Sequence, residues 1–409
     1  MATKKVPGAP QSSPTTVPTK VSFLRAAYPS GGWLSLDFDV ALGAGEEQQE
    51  APAAANNART QLREYLHSVL TTSNLIVLAG CGASLGKVGG PSMQDLWAEA
   101  AKLDGFADVA SAVKQPTEDK WIERLLSRCQ VAKELVDATT SAKVGAFLVA
   151  SEKMIWKKCT EFLAGADLDA HKTFLRRMAR RRLRVPRLKI FTTNYDLCFE
   201  TAASALGITV IDGFSFTQPR RFDPRFFGYD VVRRAKGADE PHDFVEGVVQ
   251  VLKLHGSVDW DCTSTGIEQR ATPKSPCLIY PTSTKYEHSY EQPHLELMSQ
   301  FQAALREPNT CLVTIGFGFN DNHLSAPIMA AVNSNPSFKL FVVDRSAQTK
   351  SAEANGVYSA LRQKIEAGEA DIALLNAEFA QFAEFVPELR ALTPAEQIER
   401  SVKQIARQA

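Results

Sequence analysis

The hydrophobic residues of this chain fall into two kinds of pattern. Short, nearly continuous apolar runs have the length of buried strands, and longer stretches with apolar residues every three or four positions have the period of helices. The two kinds alternate over much of the chain, which is typical of a parallel sheet covered by helices on both faces. The predicted strands are 74–80, 187–193, 248–256, 276–282, 309–317 and 338–344.

Two long stretches depart from this alternation. Residues 92–185 carry helical patterns with almost no strand-like run, so they are predicted to form a helical insertion. Residues 351–409 are predicted to be a mainly helical C-terminal extension, with one candidate strand at 371–375. The fold class that follows is α/β, with a Rossmann-like, mostly parallel sheet formed within residues 58–350.

The N-terminal segment, residues 1–57, is predicted to be flexible. Its first 20 residues are rich in Pro, Ser, Thr and Lys, and residues 43–57 have the composition of a linker. Between them lies an apolar island at 21–40, which includes Phe23 and Leu36 and is too apolar for a tail. We expect this island to dock on the chain's own core or on a neighbouring molecule.

Composition limits the classes of partner. Lys plus Arg and Asp plus Glu number 46 each, so net charge gives no reason to expect contact with nucleic acid or an anionic membrane. The arginine-rich run 176–187 could grip phosphates, but it is also typical of the solvated end of a helix. Direct nucleic-acid binding is therefore not expected.

Membrane insertion and disulfide bonding are not expected either. No apolar run approaches the ~18 residues that a membrane helix requires, and the N-terminus lacks the apolar centre of a signal peptide. The seven cysteines are odd in number and scattered, and none forms a CxxC pair. The sequence thus predicts reduced thiols and a cytoplasmic location.

Glycines follow the first predicted strand, and a helix begins near Ser92. Glycine lets the backbone approach a ligand closely, and the amides at a helix N-terminus can receive a pyrophosphate. Glycine-rich turns also occur without any ligand, and this loop has neither the GxGxxG pattern nor the GK[ST] ending of a P-loop. The loop from Gly80 to Ser84 is a candidate site on which both interpretations stay open.

Two further strand ends carry side chains capable of chemistry. Asn194 and Asp196 follow the strand at 187–193, at the edge where open α/β sheets bind ligands, although both residue types also begin helices. His255 ends the strand at 248–256 beside a glycine and a serine. Histidine can act as a base near neutral pH because its unperturbed pKa is ~6.5, so we expect His255 to line a pocket.

Gly316 and Asp344 stand near the ends of the predicted strands at 309–317 and 338–344. Gly316 precedes a turn and a helix, which is clear turn chemistry without a defined function. Asp344 occupies the place where Rossmann-like sheets often hold an acidic group for a ribose hydroxyl. No glycine fingerprint stands at a fixed spacing before it.

Together these segments resemble the sirtuin superfamily. Its members carry a GAGAS or GAGSS loop, a TQNID or TQNVD segment, and a catalytic histidine followed by glycine, and this chain has GCGAS, TTNYD and LHGS in that order. KLHGSVDW and IGFGFNDNH are similar to elements of bacterial sirtuin-like proteins. The resemblance spans roughly residues 70 to 350 and implies that 58–350 is an NAD-binding catalytic domain.

The resemblance also implies roles for individual residues. Asn194 and Asp196 would lie at the nicotinamide-ribose end of NAD, and His255 would act on a ribose hydroxyl or on the attacking water. These three are the predicted catalytic residues. The predicted NAD-binding residues are Gly80, Gly82, Ala83, Ser84, Thr193, Gly316 and Asp344.

One departure from the family pattern points to an activity. Protein-deacylating sirtuins carry a zinc ribbon of two CxxC pairs after the histidine, but here that interval offers only Cys262 and Cys277, so neither zinc nor another metal is expected. A chain without the ribbon, with a helical insertion over the cleft, resembles NAD-hydrolysing effectors of bacterial anti-phage defence. This resemblance implies an NAD glycohydrolase that forms a homo-oligomer, with a HerA-like ATPase as candidate partner.

Two alternatives stay open at this stage. The first is an NAD-dependent protein deacylase that has lost the ribbon and kept a peptide groove. The second is a regulatory subunit that senses NAD or ADP-ribose without turning it over.

Overall fold

The structure is a computed structural model that describes residues 20–25, 32–36, 47–181, 185–234, 243–278 and 293–389. The strands are β1 Ser22–Arg25, β2 Leu34–Ser35, β3 Asn74–Ala79, β4 Leu188–Thr192, β5 Thr209–Ile211, β6 Val232–Arg233, β7 Asp243–Phe244, β8 Val248–Lys253, β9 Gly256–Thr263, β10 Gly266–Gln269, β11 Pro276–Leu278, β12 Thr310–Ile315, β13 Lys339–Val343 and β14 Asp371–Asn376. The helices are α1 Glu47–Leu70, α2 Met93–Ala100, α3 Phe106–Ala112, α4 Ile122–Lys133, α5 Ala138–Glu161, α6 Asp169–Met178, α7 Cys198–Ala205, α8 His294–Arg306, α9 Asn322–Ser334, α10 Ala347–Ser351, α11 Val357–Ala367 and α12 Phe379–Phe385. Short 3₁₀ helices occur at Cys81–Ala83, Gly86–Val88, Phe162–Gly165 and Pro224–Gly228.

The central sheet confirms the α/β fold class. Within the described residues its strand order is β2-β1-β14-β13-β12-β3-β4-β8-β5, and all neighbours from β14 to β5 pair in parallel. From β3 the chain moves to β4, β5 and β8 on one side, with β8 placed between β4 and β5, and later returns to β12, β13 and β14 on the other. The order therefore reverses between β3 and β12, as in a Rossmann-like sheet, and such a switch point opens a crevice at the carboxyl ends of the strands.

Burial on both faces explains why the strands are continuous apolar runs. Val77 and Val313 face one layer of core, whereas their chain neighbours Leu78 and Leu312 face the other. Successive side chains on a strand point to opposite faces, so a sheet covered on both sides needs apolar residues at nearly every position. Helices α1, α6, α7 and α12 cover the first face, and α8, α9 and α11 cover the second.

One predicted strand belongs to a different sheet. The described part of 276–282 is β11, which pairs antiparallel with β9 in a three-stranded sheet of order β10-β9-β11. The sequence predicted one strand at 248–256, whereas β8 ends at Lys253 and a separate strand, β9, begins at Gly256. Strand β9 was not identified from the sequence. A short apolar run gives no information on its partner, because strand pairing is decided by contacts distant in sequence.

The N-terminal region is partly built into the core. Strand β1 adds to the main sheet antiparallel to β14, and the ring of Phe23 lies 5.7 Å from that of Tyr65 and 6.3 Å from that of Phe341. The described part of the island 21–40 therefore docks on the chain's own core. The structure differs from the linker interpretation of 43–57, because α1 begins at Glu47 and buries Ala55 and Ala58. Alanine is the strongest helix former, which accounts for a helix in this stretch.

The insertion forms a helical layer with its own hydrophobic core. That core takes residues from α2, α3, α4 and α5 and extends to Tyr195 and Val258 of the main domain. The indole nitrogen of Trp156 on α5 donates a hydrogen bond to the backbone oxygen of Val258 at 2.8 Å. Helix α6 was predicted as part of the insertion, but its Phe174 and Met178 pack against the main sheet instead.

The C-terminal region is not purely helical. The candidate strand at 371–375 is β14, which lies between β1 and β13 and so completes the main sheet. The part of the predicted extension beyond 389 lies outside the described residues. Arg177 of the arginine-rich run donates to the backbone oxygens of Ala383, Glu384 and Val386 at the C-terminal end of α12, so this arginine fastens the C-terminal region to α6.

In the part of the chain that the structure describes, none of the helices combines the length and the apolar character that a bilayer crossing would need.

Candidate functional site

The carboxyl ends of five parallel strands meet along one edge of the sheet. The register aligns Ala79 with Thr192, Thr192 with Lys253, Ala79 with Ile315, and Ile315 with Val343. Because these strand ends lie in one row, the residues that follow them lie along the same edge. The alignment brings together residues that are up to 264 positions apart in the sequence, from Gly80 to Asp344.

A cavity of about 720 Å³ opens at this edge, at the switch point between β3 and β12. Its volume falls within the range of roughly 300–1,000 Å³ that is typical of small-molecule sites. All ten residues predicted from the sequence line it: Gly80, Gly82, Ala83, Ser84, Thr193, Asn194, Asp196, His255, Gly316 and Asp344.

Gly80 and Gly82 of the loop pack against the backbone of Gly316, which leaves no room for side chains. The amide of Gly82 donates to the backbone oxygen of Gly316 at 3.1 Å, and the amide of Gly80 donates to Ile315 at 2.9 Å. A Cβ atom added at Gly80 or Gly82 would lie 2.7 or 2.6 Å from backbone atoms of Gly316. Close approach of two backbones thus explains these glycines, for which the sequence left open whether a ligand or only a turn required them.

Three of the predicted polar residues form one buried hydrogen-bonded cluster. The hydroxyl of Ser84 donates to Oδ2 of Asp196 at 2.7 Å, and Nδ2 of Asn194 donates to Oγ of Ser84 and to the backbone oxygen of Gly80, both at 3.0 Å. The other Asp196 oxygen accepts from the backbone amide of Cys198 at 3.0 Å, at the start of α7. Asp196 therefore accepts a bond from the first residue of α7 and also belongs to the cluster, so the two interpretations made from the sequence do not exclude each other.

A buried ion pair between Lys253 and Glu200 contacts the backbone of this cluster. Nζ of Lys253 donates to the backbone oxygen of Asp196 and lies 3.4 Å from Oε1 of Glu200. Burial acts to lower the pKa of Lys253, but Glu200 and Asp196 outweigh it and raise the pKa above its usual value. A lysine that stays charged here fixes the backbone of the Asn194–Asp196 segment.

His255 is buried beside Asp321, the residue that caps α9. Its Nε2 lies 3.3 Å from Oδ2 of Asp321, whose other oxygen caps α9 by accepting from the amide of His323 at 2.9 Å. Burial acts to raise the pKa of Asp321, but His255 and the His323 amide outweigh it, so the pKa lies below its usual range. Asp321 is thus held as a carboxylate against the histidine ring.

Asp344 already has protein partners. Its Oδ2 accepts from Nζ of Lys350 and from the hydroxyl of Tyr358, both at 2.7 Å, and its Oδ1 accepts from the amide of Ser346 at 2.7 Å. Burial, together with Asp344, raises the pKa of Tyr358 well above its usual value. Asp344 borders the cavity, but these bonds account for its burial without a ribose.

Sequence reasoning missed several residues at this site. Glu123 and Trp121 reach the cavity from the helical insertion, and Tyr195 and Lys253 lie next to motif residues without having been assigned a role. Lys253 stands two positions before His255 on a fully buried strand, where a lysine needs a counter-charge, and that was a usable signal. No such signal marked Glu123, because a glutamate in the first turn of a helix is common.

The described residues contain no group of three or more His, Cys, Asp or Glu side chains suited to hold a metal ion. None of the seven cysteines, all of which lie in the described ranges, forms a disulfide.

The fold and the site define a Rossmann-like α/β protein with a ligand-sized cavity at its switch point. The family model described as the SIR2-like domain matches residues 188–363, which is less than half of the chain. The match includes Asn194, Asp196, His255, Gly316 and Asp344 but not the loop from Gly80 to Ser84. It supports the resemblance to the sirtuin superfamily and, with it, an NAD-dependent activity of the sirtuin type.

Solved structures give a distant likeness. A crystal structure of a SIR2 homologue in complex with NAD is 13% identical, with a TM-score of 0.40, over 79% of this chain and 91% of that one. A mutant Sir2 homologue in complex with 2′-O-acetyl ADP-ribose is 14% identical, with a TM-score of 0.38, over 80% of this chain and 95% of that one. A search of curated proteins found no match to the chain.

Proposed function

We propose that this chain is an NAD glycohydrolase, which cleaves NAD with water to give nicotinamide and ADP-ribose. The observation that carries the proposal is the buried Ser84–Asn194–Asp196 cluster, which lines the same cavity as His255 at the switch point of the sheet. The SIR2-like match over the segment with Asn194, Asp196 and His255 supports NAD as the substrate.

The chemistry of the substrate defines what the site must do. The bond from ribose to nicotinamide is a glycosidic bond with a cationic leaving group, so its cleavage passes through an oxocarbenium-like state and needs little protonation of the leaving group. Catalysis then depends on holding the substrate in a reactive geometry and on placing the nucleophile. The two hydrogen bonds donated by Nδ2 of Asn194 fix this side chain against the loop, and its Oδ1 takes part in neither. Asn194 is thus suited to orient a water.

The helical insertion supports water as the nucleophile. Met93, Leu96, Trp121 and Glu123 of the insertion line the cavity together with the sheet-edge residues. A wall at this place restricts access of an acyl-lysine side chain, whereas a water molecule needs no groove. Hydrolysis is therefore favoured over deacylation.

The test is an assay of the purified full-length protein with a fluorescent NAD analogue and with NAD itself, followed by chromatography of the products. Nicotinamide and ADP-ribose are expected from wild type, and none from Asn194→Ala or His255→Ala. Glu118→Gln is a suitable control, because Glu118 is an exposed residue of the insertion that does not line the cavity. NAD that stays intact even with the products of neighbouring genes and a phage trigger present would contradict the proposal.

The same assay separates the alternatives. Turnover of an acetyl-lysine peptide with formation of O-acetyl-ADP-ribose would identify a deacylase. Tight NAD binding that survives His255→Ala, with no product from wild type, would identify a sensor.

We extend the proposal to the biological role. The similarity of the motif set to bacterial sirtuin-like effectors supports a cytoplasmic enzyme that depletes NAD in anti-phage defence, as a homo-oligomer and with a HerA-like ATPase as candidate partner. Identification of the adjacent gene and infection of cells that carry wild type or Asn194→Ala would test this role.

A further inference from the structure

The helical insertion contributes a carboxyl group to the cavity. Glu123 lies in the first turn of α4, where Ile122, Leu125 and Leu126 are buried in the core of the insertion. The indole nitrogen of Trp121 donates to Oε2 of Glu123 at 3.2 Å. Both Trp121 and Glu123 line the cavity. The packing of α4 therefore fixes the end of this helix, and with it the carboxyl group, at the site.

Tyr195 links Glu123 to the Asn194–Asp196 segment. The family pattern places isoleucine or valine between the asparagine and the aspartate, but this chain has a tyrosine there. The Tyr195 ring is buried in the core of the insertion, and its side chain forms a hydrogen bond with Glu123. This departure from the pattern thus couples the inserted carboxyl group to the predicted catalytic residues.

Glu123 also lies within electrostatic range of His255 and Asp321. Burial raises the pKa of Glu123 above its usual range, although His255 acts in the opposite direction. Asp321 differs, since its pKa is lowered and it is committed to His255 and to the cap of α9. Of the two carboxyl groups that interact electrostatically with this histidine, Glu123 is the one whose pKa is shifted towards the range that a base needs at neutral pH.

We propose that Glu123 is the general base of the hydrolysis and takes a proton from the attacking water. The water oxygen forms a bond to C1′ of the nicotinamide ribose, the bond from C1′ to the pyridinium nitrogen breaks, and its electron pair leaves with neutral nicotinamide. The proton on Glu123 then passes to solvent. The inference rests on the proposed NAD hydrolysis, and it leaves His255, which is paired with Asp321, to act on a ribose hydroxyl.

The experiment compares Glu123→Gln and Glu123→Ala with wild type and with the control Glu118→Gln. Hydrolysis is expected to fall roughly 10²- to 10⁴-fold in both Glu123 variants, the usual contribution of a general base. NAD affinity, measured by titration, and the melting temperature should stay close to those of wild type for Glu123→Gln, since glutamine retains the shape of the side chain and an oxygen that can accept from Trp121.

Rescue with azide distinguishes a base from a structural residue. Azide is an anionic nucleophile that needs no deprotonation, so it should restore NAD consumption by Glu123→Ala and give ADP-ribosyl azide, detected by mass spectrometry. It should not accelerate wild type or Glu118→Gln. Hydrolysis by Glu123→Gln within a few-fold of wild type would overturn the inference and leave the proposed function intact.

Three other results would also overturn it. Loss of activity in Glu123→Ala without azide rescue, or loss of NAD binding in both variants, would assign Glu123 to positioning or to substrate binding. Wild type that leaves NAD intact under every condition would overturn both this inference and the proposed function.

Discussion

Gly316 packs so closely against the loop from Gly80 to Ser84 that no side chain would fit at its position. Its φ is +57°, in the left-handed region, and a Cβ atom added there would lie 2.4 Å from Cα of Gly82. Gly316→Ala therefore adds two costs: about 1–2 kcal/mol for an L-residue in this backbone conformation, and about 1–3 kcal/mol for forcing an atom into a packed region. We expect the variant to be destabilised by about 2–5 kcal/mol in total.

Gly207→Ala is a matched control. The φ of Gly207 is +66°, but no atom lies within 4 Å of an added Cβ, so only the conformational cost of about 1–2 kcal/mol applies. With an unfolding entropy near 2.1 cal/mol/K per residue, the whole chain unfolds with roughly 0.9 kcal/mol/K. The melting temperature should then fall by about 2–6 °C for Gly316→Ala and by about 1–2 °C for Gly207→Ala.

Differential scanning fluorimetry and urea unfolding measure this difference directly. A displaced loop should also raise the KM for NAD in Gly316→Ala, because the Gly80–Ser84 segment would no longer face the Asn194–Asp196 segment correctly. Equal melting temperatures for the two glycine variants would refute the reasoning that Gly316 is required by contact with the loop.

Three further outcomes follow from buried polar groups. Asn194→Ala should abolish hydrolysis and also lower stability by about 1–3 kcal/mol, since the backbone oxygen of Gly80 loses one of its two donors and Oγ of Ser84 loses the donor Nδ2 of Asn194. Wild-type turnover in this variant would contradict the first expectation, and an unchanged urea midpoint would contradict the second. Burial raises the pKa of Glu200 from 4.5 to about 7, so between these pH values the folded state retains a proton that the unfolded chain releases. Wild type should therefore lose stability as pH rises from 4.5 to about 7, and Glu200→Gln should lose less. An equal dependence of the urea-unfolding free energy on pH in the two proteins would refute this. Burial lowers the pKa of His171 from 6.5 to about 4, and neither ring nitrogen has a hydrogen-bond partner among the described residues, so wild type should lose stability as pH falls through that window. His171→Leu should remove this acid dependence and raise stability by about 1–3 kcal/mol, and a less stable variant with unchanged pH dependence would argue against the assignment.

Local sequence determined most of the parallel strands and the row of candidate residues at their ends. A strand buried on both faces must be apolar along its length, so such strands appear as continuous runs that end abruptly at glycine or at polar residues. Because parallel strands present their carboxyl ends at one edge, the motifs at Gly80, Asn194, His255 and Gly316 could be assigned to a single site before any coordinates were known.

The small antiparallel sheet and the inserted carboxyl group could not be predicted in this way. Strand β9 and the pairing of β11 depend on contacts across the chain, and short apolar runs contain no information on those partners. Glu123 enters the cavity only because α4 packs within the insertion and the insertion packs on Tyr195 and Val258. A glutamate near the start of a helix has the same local sequence whether it faces solvent or an active site.

The sequence by itself determined which residues stand at the ends of the buried strands, because burial imposes its pattern on each strand separately. Only the tertiary structure decided what those residues touch. The glycines pack against each other across the switch point, Asp344 is satisfied by Lys350 and Tyr358, and His255 lies beside Asp321. Each of these contacts joins segments that are brought together by the order of the strands, and that order is a property of the whole sheet.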